Sequence, residues 1–95
     1  MYGKKPQFTQ TYSIAASGSQ TITDRSMAGS SEFHFSVTGA GSVTVAALRG
    51  TDVTYIDETT IAGGSGSIIL DALWVTGLRI TETSGNAVTV TVAWG

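Results

Sequence analysis

The sequence predicts an all-β protein, an antiparallel β-sandwich or jelly-roll-like barrel of about seven or eight strands. Apolar and polar residues alternate with a period of two in at least six segments, a pattern typical of strands that bury one face. No window of a dozen residues keeps apolar residues at helical spacing without a glycine or a run of Ser and Thr. Glycine- and serine-rich turns recur roughly every ten residues, which favours a sandwich or jelly roll over a parallel α/β fold.

Chain length and composition indicate one small domain, residues 1–95, with residues 1–8 as a possible N-terminal arm. Hydrophobic residues make up 41% of the 95 residues, which is enough to fill one core. The absence of cysteine excludes disulfides, zinc-thiolate sites and thiol nucleophiles. A net charge of −2 with only 13% charged residues argues against a nucleic-acid partner. Ser, Thr and Gly supply 38 of the 95 residues, so hydroxyl groups must provide much of the solubility.

The N-terminal segment contains two lysines, Lys4 and Lys5, but no apolar run follows them as in a secretory signal. We therefore expect the protein to be used where it is made. The densest apolar stretch, 68–80, is interrupted by Asp71, Thr76, Gly77 and Arg79. It is too short and too polar for a membrane span, so we expect no membrane partner.

The first half of the chain contains three predicted strands and a hairpin. Residues 8–14 alternate in polarity and predict an early strand or an extended arm, and 19–23 predict a short second strand. Residues 32–38 form the best-marked early strand, with Phe33, Phe35 and Val37 on its apolar side. The turn residues of 39–42 predict a hairpin to an apolar strand that begins at Val43.

The second half is predicted to contain several short strands and a stronger hairpin. Residues 50–52 are predicted to form a turn, and residues 63–66, Gly-Gly-Ser-Gly, to form the most flexible loop. The remaining short strand-like segments are 53–56, 59–62, 67–70 and 73–75. The strongest predicted hairpin joins 78–82 to 88–94 through a turn at 84–86.

No catalytic constellation stands out. His34, the single histidine, lies on the polar side of its strand, so we expect it at the surface or at an interface. One histidine cannot supply a conventional catalytic zinc site. Serines are numerous, but none lies in the Gly-x-Ser-x-Gly strand-to-helix turn of an esterase. The glycine-rich stretches 39–41 and 63–66 precede no predicted helix and lack the lysine of a phosphate-binding loop.

The acidic residues also fit a structural role better than catalysis. Glycoside hydrolysis needs two carboxyl groups that face each other across a cleft, whereas the adjacent Asp57 and Glu58 point to opposite faces of a strand. Asp52 and Asp71 do not lie in the alternating pattern of a calcium loop. We expect all four acids to solvate turns and strand edges, and we predict no enzyme activity, no metal and no cofactor.

Aromatic residues raise a second hypothesis, a carbohydrate-binding module that stacks sugars on exposed rings. Trp94 follows Val88, Val90 and Val92 on one side of its strand, which predicts a core position. Tyr55 shares its side with Val53 and is also predicted to be buried. Trp74 is left open by the pattern. The carbohydrate hypothesis therefore needs Trp74, Tyr55 or Tyr2 to be exposed.

The chain also resembles a family of known proteins. The segments 50–55, 73–80 and 87–92, over roughly 17–95, resemble small virion proteins of tailed bacteriophages, many of them capsid decoration, head-fibre or tail accessory proteins. In these segments an aromatic follows a turn, an aromatic precedes a hydrophobic-Arg-hydrophobic strand, and the chain closes on a Val/Thr strand. The resemblance implies a non-enzymatic structural protein of the virion, assembled in the host cytoplasm, that decorates and stabilises a capsid.

The resemblance also implies partners. It implies binding to the major capsid protein and a homo-oligomer, namely a trimer seated where capsid subunits meet. The predicted partner-binding residues are Tyr2, Lys4, Lys5 and Phe8, as an arm that reaches onto a neighbouring subunit. The alternative is a carbohydrate-binding or tail and host-attachment accessory module.

Overall fold

The computed structural model describes residues 8–24, 26–27, 32–62, 64–71 and 74–95, and for 64–71 it describes the backbone only. The predicted all-β sandwich is confirmed, since these residues form eight strands in two antiparallel sheets. The strands are β1 (Phe8–Ile14), β2 (Ser19–Ile22), β3 (Glu32–Gly39), β4 (Val43–Arg49), β5 (Ile56–Ile61), β6 (Gly64–Asp71), β7 (Val75–Glu82) and β8 (Val88–Trp94). No helix in the described part of the chain is long and apolar enough to cross a membrane.

The strand order is that of an eight-stranded jelly roll. The first sheet has the order β1-β8-β3-β6, and the second has the order β2-β7-β4-β5. Strand β1 pairs with β8, β2 with β7, β3 with β6 and β4 with β5, so the chain folds as one long antiparallel ribbon wrapped into two sheets. Jelly rolls of this kind occur in viral capsid and lectin domains.

The core lies between the two sheets and follows the alternation in the sequence. On β3 the apolar side chains Phe33, Phe35 and Val37 are almost completely buried. On β8, Trp94 is 1% exposed, as its position after three alternating valines predicted. Burial of such side chains removes apolar surface from water and supplies the main stabilising free energy.

The connection between β2 and β3 closes one end of this core. Asp24 Oδ1 accepts hydrogen bonds from the Ser26 N–H at 2.9 Å and from the Ser26 hydroxyl at 2.7 Å. The Trp94 indole N–H donates in turn to Ser26 Oγ at 2.7 Å. The following residue, Met27, is fully buried. The polar atom of a buried tryptophan is thus satisfied at the rim of the core, where aromatic N–H groups usually find a partner.

Both predicted hairpins are wrong. The turn after Gly39 leads from β3 in the first sheet to β4 in the second, and the turn at 84–86 leads from β7 to β8, again between sheets. A short glycine-containing turn does not reveal whether the next strand pairs with the previous one or crosses the core. Of the consecutive strands described, only β4 and β5 pair with each other.

Several predicted strand boundaries are also corrected. Of the predicted flexible loop 63–66, residues 64–66 belong to β6 and pair with 37–39 of β3, while Gly63 lies outside the described residues. The two short strands predicted over 53–62 are one strand, β5, which begins at Ile56. The preceding Val53 lies in a loop and is 94% exposed. Strand pairing decided these boundaries more strongly than local glycine content did.

Candidate functional site

The two ends of the sandwich differ sharply in chemistry. Strands β1, β3, β5 and β7 all finish at one end, which we call the Glu82 end. Strands β2, β4, β6 and β8 finish at the opposite end, which we call the Trp74 end. The first is built around a buried carboxylate, whereas the second carries exposed apolar side chains.

Glu82 is the buried charged residue in the described part of the chain, with 1% exposure. Its Oε1 accepts hydrogen bonds from the backbone N–H groups of Ser17, Gly85 and Asn86 at 2.9, 2.8 and 3.1 Å. Its Oε2 accepts from the N–H groups of Ser84 and Ser42 at 2.7 and 3.3 Å, and from the Ser84 hydroxyl. One carboxylate therefore ties together the β1–β2, β3–β4 and β7–β8 connections.

Backbone contacts reinforce this arrangement. The Glu82 N–H donates to the Gly18 carbonyl at 2.8 Å, and the Thr83 N–H donates to the Ser42 carbonyl at 2.9 Å. Ser17 adopts a left-handed backbone conformation, with φ of 59°, which directs its N–H at the carboxylate. A buried carboxylate with this many donors is stabilised as an anion, because each donor replaces a hydrogen bond to water.

The acidity of Glu82 reflects its surroundings. Burial by itself raises the pKa of this carboxyl. The hydrogen bonds from Ser17, Ser84 and Gly85 outweigh burial and lower the pKa to about 2. Because these donors bind the charged form, protonation of Glu82 in the folded protein weakens the contacts that join the three connections.

The lowered pKa of Glu82 predicts a specific loss of stability in acid. The ordinary glutamate pKa is 4.5, so the unfolded chain takes up a proton at a higher pH than the folded protein. The stabilisation from the carboxylate is complete above pH 4.5 and is lost as the pH falls from there towards about 2. Urea denaturation between pH 7 and pH 2 should show this decline in the wild-type protein. A Glu82→Gln variant should lack the part of the decline that Glu82 causes.

Gly41 makes room for the carboxylate, and its replacement tests how tightly this end is packed. An alanine Cβ at this position would lie 2.4 Å from the Asn86 carbonyl oxygen and 2.9 Å from Glu82 Oε2. We expect Gly41→Ala to cost about 1–3 kcal/mol of unfolding free energy, as overpacking does. Gly85→Ala separates backbone strain from crowding, because its Cβ would meet nothing within 4 Å and only its φ of 84° opposes the change. That strain costs roughly 1–2 kcal/mol, so the result that would contradict tight packing is an unchanged melting temperature in Gly41→Ala.

The Trp74 end contains the exposed large apolar side chains found among the described residues. Trp74 is 72% exposed, Val53 is 94%, Ile56 is 53% and Phe8 is 42%. Trp74 and Val53 lie in connections at this end, Ile56 begins β5, and Phe8 begins β1. Single exposed apolar residues are ordinary, but their restriction to one end marks that end as a candidate binding surface.

Trp74 is held in an unusual conformation. Its φ of 60° lies in the left-handed region, which costs a residue with a side chain roughly 1–2 kcal/mol. The Gly50 N–H donates to the Trp74 carbonyl at 2.8 Å. A Cβ at Gly50 would lie 3.3 Å from Trp74 Cε3, so the indole rests against the Gly50 backbone. The ring is exposed and yet positioned, and strained residues of this kind are often functional.

Tyr55 occupies the outer surface of the second sheet. The Arg79 guanidinium lies over the Tyr55 ring, 4.9 Å from its centre. A Cβ at Gly77 would come within 2.8 Å of the Tyr55 hydroxyl oxygen, so Gly77 leaves space for the ring. Tyr55 was predicted to be buried, and in the structure its side chain is half-buried against β7.

Near the Trp74 end some charged side chains form an ion pair, whereas others are exposed to solvent. Arg49 Nη2 and Glu58 Oε1 form an ion pair at 3.1 Å between β4 and β5. The Asp52 N–H donates to the Arg49 carbonyl at 2.9 Å and closes a turn. The side chains of Asp52 and Asp57 are exposed. Two exposed carboxylates therefore lie in the β4–β5 connection and at the start of β5, close in the chain to Val53 and Ile56.

The structure places one of the four predicted partner-binding residues. Phe8 is the first residue of β1, pairs with Trp94 of β8, and stacks on it with ring centres 5.9 Å apart and an interplanar angle of 17°. Tyr2, Lys4 and Lys5 lie outside the described residues. Phe8 is thus anchored to the fold and partly exposed, and the arm before it stays a prediction.

The residues considered for catalysis do not come together among the described positions. His34 Nε2 lies 2.8 Å from Glu32 Oε1 on the outer surface of β3, and Glu58 is paired with Arg49. The side chain of Asp71 lies outside the described set. No group of three or more potential metal-ligating side chains occurs in the described ranges.

A shallow depression of about 520 Å³ lies on the first sheet near the Glu82 end. Most of its lining residues are small or carry a hydroxyl group, and two, Ile14 and Val88, are larger aliphatic residues. The full lining is Ser13, Ile14, Ala15, Thr38, Gly39, Ala87, Val88 and Thr89. None of these residues has a titratable side chain, so this depression offers no acid or base for catalysis.

Comparisons with known proteins show similarity of fold. No protein-family profile matches the sequence, and no curated protein matches it significantly. The mitogen YPM of Yersinia pseudotuberculosis has a TM-score of 0.60 at 12% identity, over 95% of this chain and 86% of that one. The SPBc2 prophage-derived protein YomS has a TM-score of 0.57 at 8% identity, over 98% and 100% of the two chains.

A third similar structure is the family 29 carbohydrate-binding module CBM29-2. Its TM-score is 0.54 at 14% identity, over 85% of this chain. The present chain spans 62% of that module's length. At such identities the three similarities establish the fold and leave the function open.

Sequence reasoning missed the role of Glu82, although a signal was present. Glu82 shares one side of its strand with Leu78 and Ile80, both fully buried. An acidic residue on the apolar side of a strand indicates one of two things. Either the strand leaves the core at that residue, or the carboxylate is buried and needs hydrogen-bond donors around it. The turn that follows, Ser84-Gly85-Asn86, supplies backbone N–H groups for that purpose.

Proposed function

We propose that this protein is a non-enzymatic structural protein of a bacteriophage particle, which decorates the capsid and stabilises it by binding between capsid subunits. The observation that carries the proposal is the jelly-roll topology combined with full-length similarity to the prophage-derived protein YomS. Jelly rolls are common in viral capsid proteins. This support is an analogy of fold, added to the sequence resemblance to small virion proteins.

The surface chemistry is compatible with a structural role. The outer side of the first sheet carries hydroxyl side chains on neighbouring strands, and Thr11 Oγ1 lies 3.2 Å from Thr91 Oγ1. Thr38 Oγ1 donates to the Thr89 carbonyl at 3.4 Å. Such groups can be covered by a neighbouring subunit at a lower desolvation cost than lysine or glutamate side chains. A homotrimer in contact with the major capsid protein is part of the proposal.

The second candidate is a carbohydrate-binding or host-attachment module, and one observation favours it. Trp74 is displayed at the surface, as a sugar-stacking residue must be. The fold similarity to a carbohydrate-binding module adds an analogy of the same kind as that to YomS.

The proposal is tested with particles of the phage whose genome encodes this chain, purified after deletion of the gene. The purified protein is mixed with these particles, and bound protein is measured by co-sedimentation. Light scattering after size-exclusion chromatography gives the mass of the free protein. We expect saturable binding and a trimeric mass.

Two results would decide against the proposal. A monomeric mass at micromolar concentration together with no binding to the particles would overturn it. Binding of neutral oligosaccharides, seen as a saturable change in tryptophan fluorescence, together with no binding to the particles, would favour the second candidate.

A further inference from the structure

The Trp74 end has the composition of a protein-binding surface. It presents Trp74, which rests against Gly50, together with Val53 in the connection that begins at Gly50 and Ile56 at the start of β5. Each of the three side chains is more than half exposed. Tryptophan is enriched among the residues that dominate binding free energy at protein interfaces. The aliphatic side chains Val53 and Ile56 offer no ring for a sugar to stack on, and their burial by another protein removes apolar surface from water.

The geometry of Trp74 reduces the entropy cost of binding. The indole rests against the Gly50 backbone, and the Gly50 N–H holds the Trp74 carbonyl. A side chain that is already positioned loses less conformational freedom when it enters a partner's pocket than a mobile one does.

The charges around this surface indicate the chemistry of the partner. Asp52 is exposed in the connection that also holds Gly50 and Val53, and Asp57 is exposed next to Ile56 in the chain, on the other face of β5. The described cations of the second sheet are engaged elsewhere, Arg49 with Glu58 and Arg79 with the Tyr55 ring. A second copy of the same acidic surface would repel it, whereas a partner with lysine or arginine at its rim would be attracted.

We infer that the surface formed by Trp74, Val53 and Ile56, which we call the tip surface, binds a protein that has an apolar pocket for the indole and a basic rim. The inference rests on the proposed function, because it takes this partner to be a structural protein of the particle. It places the main contact at the Trp74 end of the second sheet instead of in the N-terminal arm alone.

The experiment compares variants for binding to the same gene-deleted particles. Trp74→Asn removes the ring, and asparagine tolerates left-handed backbone angles, so the melting temperature should stay equal or rise. We expect its dissociation constant to increase at least about tenfold, as for a dominant interface residue. Asp52→Lys should weaken binding by about threefold, and this loss should shrink at high salt because it is electrostatic.

The matched controls separate the tip surface from other effects. Thr60→Ala alters an exposed side chain of β5 near the Glu82 end, away from the tip surface, and should bind like the wild type. Removal of residues 1–7 tests the arm independently. If wild-type protein binds the particles and Trp74→Asn binds equally well, the tip surface is refuted while the proposed function stands.

Two further outcomes overturn the inference. If wild-type protein does not bind the particles, the proposed function and the inference fail together. If neutral oligosaccharides release bound wild-type protein from the particles and quench Trp74 fluorescence, the ligand of this surface is a sugar and the protein partner is refuted.

Discussion

Replacement of Glu82 by glutamine should lower the melting temperature by about 10 °C or more, because buried N–H groups then lose their acceptor. The glutamine amide has one oxygen and one NH2 group where the carboxylate has two acceptors. In one orientation the NH2 group faces the N–H donors of Ser17 and Gly85, and in the other it faces those of Ser42 and Ser84. In either orientation the glutamine NH2 group faces backbone N–H groups, so two hydrogen-bond donors point at each other and neither has an acceptor.

The effect should be local as well as global. Amide hydrogen exchange of Gly85 and Asn86 should accelerate in Glu82→Gln, since their N–H groups bond the carboxylate. Glu58→Gln is the matched control, because it makes the same chemical change in a partly exposed ion pair with Arg49. Pairs of that kind contribute about 0–1 kcal/mol. Similar melting temperatures for the two variants would refute the central role assigned to Glu82.

Truncation of Phe33 to alanine should destabilise the protein by about 3–5 kcal/mol, the usual cost of removing a buried phenylalanine. Phe33 is completely buried, with ring centres 6.3 Å from Phe35 and 6.2 Å from Trp94. A domain of this size has a total stability of only about 5–15 kcal/mol, so the variant should be partly unfolded at moderate temperature. Urea denaturation followed by tryptophan fluorescence measures the change.

Phe8→Ala is the control for the core truncation. Phe8 stacks on the same tryptophan but remains 42% exposed. Less apolar surface returns to water in this variant, and we expect a loss of about 1–2 kcal/mol. If both truncations destabilise the protein equally, the core is not centred on Phe33 as the structure indicates.

The features of the fold that depend on local alternation could be predicted from the sequence. The period of two placed Phe33, Phe35 and Val37 on one face of β3, and it placed Trp94 in the core. These predictions succeed because successive side chains in a strand point to opposite faces, whatever strand lies beside them. The alternation leaves the position of Trp74 open, and the structure shows a left-handed backbone at this residue, just before β7 begins.

The buried carboxylate shows where such reasoning stops. Glu82 shares a side of β7 with Leu78 and Ile80, but its partners lie in connections up to 65 residues away along the chain. No local pattern indicates that Ser17 and Ser42 will meet this carboxylate. Only the folding of three connections to one end brings the donors together.

By itself, then, the sequence determined an all-β sandwich, the faces that its strands bury and a composition that disfavours nucleic-acid binding. The tertiary structure decided which strands pair, and so turned two predicted hairpins into connections between sheets. It also decided that Glu82 joins one end and that exposed apolar side chains gather at the other. The reason is physical: side-chain direction follows from the local backbone, whereas pairing partners are selected by the burial of the whole core.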